Sequence, residues 1–192
     1  MQLPLFEQTS PVPSGRIRPR SVPDKPTSPI PYDAARNDWQ TPQQLVSAAI
    51  ATLGLIDLDP CANAKIGPVI PATTYYAAED NSLARHWEGR VFLIPPYGRA
   101  IAAWVQKLVT EYETGDVTAA IALVPGRTDT LWWHRLAAYP YCAIQGRVNF
   151  VRYDGKKARP TFGSAMVYLG PQLARFAGAC GDLGTIYIPY HR

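Results

Sequence analysis

Gly89-Arg90-Val91-Phe92-Leu93-Ile94-Pro95-Pro96-Tyr97-Gly98-Arg99, running on into Ala100-Ile101-Ala102-Ala103-Trp104, decides the fold. Val91 to Ile94 is a continuous apolar run, the pattern of a strand buried on both faces. Pro95 and Pro96 end it, because neither can donate to a sheet ladder. Past the Tyr97-Gly98 turn, Ile101, Val105, Leu108 and Tyr112 share one helical face, so strand, turn and helix make half of a βαβ unit. In open α/β sheets ligands gather at the carboxyl ends of strands, and this turn lies at one.

Towards the N-terminus, Leu55 to Leu58 reads as another core strand, ending at Asp59-Pro60-Cys61-Ala62-Asn63. A carboxylate at the end of a buried strand is costly unless something pairs with it, and a cationic or hydrogen-bond-donating ligand is one solution. Before it, Thr41 as N-cap and Pro42 at the first helical position open a helix whose buried face is Leu45, Val46, Ala49, Ile50 and Leu53 and which Gly54 stops. Trp39, Thr41 and Pro42 thus sit at a helix start, either as a seat for a ligand carboxylate or as a simple cap with an anchoring aromatic. A short strand falls at Thr73 to Tyr76.

Towards the C-terminus, the helix after Arg99 closes at Gly115 and Ala119 to Val124 forms a third buried strand. It delivers Pro125-Gly126-Arg127-Thr128-Asp129 to the same edge, where Thr128 or Asp129 caps a helix carrying Leu131, Trp132 and Leu136. Arg127 there either meets phosphate or a base, or pairs with Asp129. From Tyr141 the pattern turns to β: Cys142 to Ile144, Arg147 to Val151, Ala165 to Leu169, and an edge strand at Thr185 to Ile188 after a short helix. The stretch Arg152-Tyr153-Asp154-Gly155-Lys156-Lys157-Ala158-Arg159 sets four bases against one acid. It reads as a nucleic-acid loop or as a solvated hairpin tip.

The Pro-Pro-Tyr turn resembles the Asn/Asp-Pro-Pro-Tyr motif of amino-methyltransferases, with Ile94 in the first, normally polar, position. The wider set is Asp38-Trp39-Gln40-Thr41-Pro42, Leu58-Asp59-Pro60-Cys61-Ala62-Asn63, Pro95-Pro96-Tyr97-Gly98-Arg99 and Pro125-Gly126-Arg127-Thr128-Asp129-Thr130. It is similar to the phage-type DNA N6-adenine methyltransferases from about Asn37 to Gly170. The resemblance implies a Rossmann-like S-adenosylmethionine-dependent methyltransferase fold, α/β, with a mostly parallel sheet and an antiparallel C-terminal strand. It implies S-adenosylmethionine held by Trp39, Thr41, Pro42, Asp59, Cys61, Asn63 and Asp80, the last of which reads equally as a turn or helix cap. Catalysis falls to Ile94, Pro95, Pro96 and Tyr97. DNA contact falls to Arg99, Arg127, Asp129, Arg152, Lys156, Lys157 and Arg159.

In such enzymes the first motif side chain and the first proline's carbonyl accept the two N–H groups of the target amine, while the tyrosine stacks on a base flipped out of the duplex. Isoleucine cannot accept. The expectation is therefore an adenine-N6 DNA methyltransferase by descent, with turnover reduced or lost. The alternatives are a silent DNA-binding module of the same fold, and an amino-methyltransferase on an RNA base or a protein glutamine.

Composition narrows the rest. The 192 residues, 47% hydrophobic, suit one globular domain over 37–192. Residues 1–36 hold eight of the nineteen prolines and read as an extended or disordered arm. A net charge of +4 and pI near 9.0 permit an anionic partner. Cys61, Cys142 and Cys180 form no disulfide framework, and His86, His134 and His191 lack ligand spacing, so no metal is expected. With no signal pattern and no long apolar run, a cytoplasmic protein of a bacterial or phage-infected cell is expected, without membrane contact. The sequence leaves the oligomeric state open.

Overall fold

The computed structural model describes residues 39–62, 70–152, 157–158 and 160–190, with backbone only at Trp39, Arg152, Lys157 and Ala158. The arm 1–36, Asn63, Lys156 and Arg159 lie outside the described residues.

The large sheet has seven strands. In chain order they are β2 (Ile56–Asp59), β3 (Ala72–Tyr75), β4 (Gly89–Leu93), β5 (Val117–Pro125), β6 (Tyr141–Ile144), β9 (Ser164–Leu169) and β10 (Gly184–Tyr187). Their spatial order is β10-β6-β9-β5-β4-β2-β3. The strands β2, β3, β4 and β5 pair in parallel, while β9 inserts antiparallel between β5 and β6 and β10 runs antiparallel on the β6 edge. Five strands therefore share one direction, and two C-terminal strands, rather than one, oppose it. Helices α1 (Gln43–Leu53) and α4 (Leu173–Cys180) cover one face; α2 (Ile101–Thr114) and α3 (Leu131–Leu136) cover the other. This is the Rossmann-like architecture of methyltransferases.

Alternation within the strands builds both cores. Val91 and Leu93, Ala120 and Ala122, and Val167 and Leu169 face α2, while Phe92, Ile121, Leu123, Met166 and Tyr168 face α1. Continuous apolar runs are what a sheet buried on both faces requires. The chain passes from β3 to β4 through two single 3₁₀ turns, Ala78–Asp80 and Ser82–Ala84, rather than a helix. Trp87, fully buried, locks this passage by donating to the Ser82 carbonyl at 3.0 Å and packing on Trp104.

A second, three-stranded sheet was not anticipated. β1 (Trp39–Gln40), β7 (Phe150–Arg152) and β8 (Lys157–Ala158) pair antiparallel in the order β1-β7-β8, with Gln40 opposite Val151 and Val151 opposite Lys157. The described parts of the basic stretch, Arg152 and Lys157–Ala158, thus lie in paired antiparallel strands, and Trp39 lies in a strand rather than at a helix start.

Three local expectations change. Thr41 does not cap α1: Pro42 takes the N-cap position with ψ of 135°, and its carbonyl accepts from Leu45 and Val46. Thr130, not Thr128 or Asp129, caps α3, because its backbone is the extended one before Leu131 and its hydroxyl accepts from the Trp133 amide. In α3 it is Trp133 that is buried, whereas Leu131 is 70% exposed.

Candidate active site

Strand β2 is the switch point of the sheet. From it the chain goes to β3 on one side and then returns to β4 on the other, and in such sheets the crevice for a ligand opens beyond the carboxyl ends of the two diverging strands. Register places Leu58 beside Val91, so Asp59 and the Ile94-Pro95-Pro96-Tyr97 turn stand at adjacent strand ends.

Asp59 is 5% exposed. Among the described residues its carboxylate accepts one hydrogen bond, from the Cys61 amide at 3.0 Å, and meets no cation. Burial outweighs that bond and raises its pKa from 3.8 to about 7. Burial, then the Asp59 charge, pushes the Cys61 thiol well up, so Cys61 stands as a neutral wall rather than a nucleophile. The loop is braced across the crevice floor: Tyr76 donates to the Asp59 carbonyl and Ala62 to the Tyr76 carbonyl, both at 2.9 Å.

Asp80 follows on the β3 side. Its Oδ2 accepts from the Ala77 amide at 2.8 Å, fixing the 3₁₀ turn. The capping role that the sequence offered for it is therefore present.

On the β4 side Pro95 and Pro96 are buried and Ile94 packs half-buried against the α1 core. The Tyr97 ring meets Phe150 of β7 edge-on at 6.4 Å and Phe162 at 5.7 Å. Its hydroxyl is buried without a partner among the described residues, and burial raises its pKa. Phe150 also joins the α1 core, so the small sheet is anchored on the same side as Ile94. Through the β1–β7 pairing, Gln40 and the Thr41-Pro42 entry to α1 come to this end of the molecule.

The loop after β5 completes the edge. Gly126 donates to the Gly163 carbonyl at 2.9 Å, joining it to the segment that carries Phe162. Arg127 holds Asp129 in both of its hydrogen bonds, at 3.2 and 3.3 Å, with both side chains exposed. That contact lowers the Asp129 pKa. Arg99 is exposed at the start of the turn into α2, and the side chains of Arg152 and Lys157 lie outside the description.

Phe150 and Phe162 were missed from sequence, and only the pairing of distant segments brings them to Tyr97. The opposite edge of the sheet gathers His86, Glu111 and Asp116 with ligand atoms within 4.8 Å, a proximity that no local spacing signals. Glu111 there already takes Lys107. Among the described residues no helix is long and apolar enough to cross a membrane.

The family model of the DNA N-6-adenine-methyltransferases (Dam) matches residues 30–173. No curated protein matches the chain. The match spans well over half of the sequence, and the chain belongs to that family.

Proposed function

We propose that this member of the DNA N-6-adenine-methyltransferase family binds S-adenosylmethionine in the crevice between the β2 and β4 ends and presents DNA adenine to it at the Pro95-Pro96-Tyr97 turn. The observation that carries the reading is the juxtaposition of Asp59, a nearly dry carboxylate with one backbone donor among the described residues, and the Pro-Pro-Tyr turn on the neighbouring strand. A buried acceptor with spare capacity fits a ligand that brings N–H donors or positive charge. S-adenosylmethionine brings both, and when bound it supplies an activated methyl group.

In this reading Asp59 holds the donor-bearing end of the cofactor, Cys61 lines it, and Asp80 fixes the turn that borders it. Thr41 and Pro42 approach from the start of α1, with Trp39 beside them and Asn63 beyond Cys61. The Pro95 carbonyl accepts one amine N–H and Tyr97 stacks on the base. Ile94 leaves the second N–H without an acceptor. Removing one preorganised polar contact at a reacting centre costs roughly 10²–10³ in rate. Turnover is therefore slow, and the packing of Ile94 into the α1 core favours a chain that keeps its fold and cofactor site while losing rate.

Calorimetry with S-adenosylmethionine, followed by transfer of a radiolabelled methyl group to DNA, RNA and protein, tests the reading. Binding with slow methylation of DNA is expected. Absence of cofactor binding would remove the methyltransferase reading, binding without transfer would leave a silent DNA-binding module, and label on RNA or protein alone would reassign the substrate.

A further inference from the structure

Arg127, nominated from the sequence as a DNA contact, is held bidentately by Asp129. Another arginine stands over the same loops. Arg147 is exposed, follows Gly146, whose φ of 77° turns the chain after β6, and precedes the buried Val148. Its Nη1 lies 3.7 Å from where a Cβ on Gly163 would stand. Gly163 is bonded to Gly126 of the post-β5 loop and flanked by Phe162, whose ring meets Tyr97. On its other side is Ser164, a buried hydroxyl with no partner among the described residues. Among the described residues no acid pairs with Arg147.

We propose that Arg147 holds a backbone phosphate of the DNA strand whose nucleotide is turned out towards Tyr97. The inference rests on the functional reading above and adds a residue to it. A guanidinium matches phosphate with two parallel donors, and Arg147, with no acid paired to it among the described residues, keeps its donors for an anion. The link through Gly163 and Phe162 sets that field beside the tyrosine. Arg127 sits at the same edge, but its donors are directed to Asp129.

The test is DNA binding by the full chain, read as anisotropy of a labelled mixed-sequence duplex over a series of salt concentrations. Each phosphate contact contributes about 0.9 to the slope of log K against log salt, so Arg147→Ala should flatten the slope by about 0.9. Arg147→Lys should keep most of it. Arg175→Ala removes the same charge at the opposite edge, where Arg175 donates to the Ala51 carbonyl, and should change the slope far less. Wild type that binds DNA with an unaltered slope in Arg147→Ala overturns the inference alone, as does an Arg175→Ala effect of equal size. Wild type with no DNA binding overturns the functional reading and this inference with it.

Discussion

Asp57 and Asp59 lie two residues apart on one strand and meet opposite fates. Asp57, on the amino side, receives Arg90 through Nε at 2.7 Å and Nη2 at 2.9 Å, and also the Arg90 amide at 2.8 Å. Those bonds hold its carboxyl below the usual range. Asp59, at the carboxyl end, has one backbone donor among the described residues and a pKa of about 7. At the amino side the Asp57 carboxylate is fully engaged by Arg90. Where the strands end at the carboxyl edge, Asp59 has its one backbone donor, and the Tyr97 and Ser164 hydroxyls are buried without a partner among the described residues, as is the Ser82 hydroxyl in the passage from β3 to β4. Buried polar groups with spare capacity are expensive, and a ligand seated between Asp59 and Tyr97 would complete them.

The largest expected effect breaks the comparison at Asp59. Its folded pKa is raised above the unfolded value of 3.8, so its contribution is intact below about pH 4 and erodes as pH rises through about 7. Asp59→Asn removes that titration. Without cofactor, the variant should be more stable than wild type above pH 7 by up to about 4 kcal/mol, with the gap closing in acid. Urea unfolding at both ends of the range measures it. A gap that does not vary with pH would mean that Asp59 is already paired, and the contrast with Asp57 would collapse. Cofactor affinity should move the other way in wild type, strengthening from pH 6 to pH 8 as the carboxylate forms.

Next in size is Ile94→Asn, which sharpens the contrast by supplying the acceptor that the β4 end lacks. Methyl transfer to DNA should rise roughly 10²–10³-fold, with S-adenosylmethionine affinity little changed, because in the proposed reading residue 94 meets the amine and not the cofactor. Single-turnover kinetics beside calorimetry separates the two quantities. A wild type already as fast as the variant would show that another group holds the amine.

The strands of the large sheet were legible because apolar runs ended by Asp-Pro or Pro-Pro have few other readings. The edge that carries the candidate site followed from them. What was not legible is whatever depends on distant partners or on helical phase. Trp39 and Gln40 form a strand only because Arg152 and Val151 lie opposite them, and no local pattern marks a two-residue strand. Trp132 and Trp133 are adjacent, and a six-residue helix is too short for periodicity to say which one faces the core. Three capping residues in a row, Thr128 to Thr130, left the choice to the backbone. Arg127 with Asp129 was open between two readings, and the ion pair is present; the phosphate reading passed over Arg147, a lone base in a strand-like run. Asp57 did carry a signal: a charged residue inside a buried strand demands a partner, and Arg90, the second residue of the stretch that begins at Gly89, supplies it.

The smallest predicted effect is on the satisfied side. Gly89, at φ of 72°, lets β4 approach so closely that a Cβ there would stand 2.7 Å from the Asp57 carboxylate, and Arg90 follows it directly. The pair is about one-third exposed on both sides, so solvent screens it, yet its geometry is bidentate and backed by a backbone bond. Arg90→Ala should cost about 1–2 kcal/mol of stability, near the upper limit for a screened pair. The sign of its pH dependence is opposite to that of Asp59. Asp57 has a depressed folded pKa, so the stabilisation is present above the unfolded value of 3.8 and disappears as pH falls through the lower folded one. The difference between wild type and Arg90→Ala should therefore be flat from pH 8 to pH 5 and vanish in strong acid. Cofactor affinity should not change, because the amino edge makes no part of the crevice. If Arg90→Ala weakened S-adenosylmethionine binding as much as it weakened the fold, the division between a supporting edge and a reacting edge would be wrong, and the two aspartates would belong to one coupled network along β2.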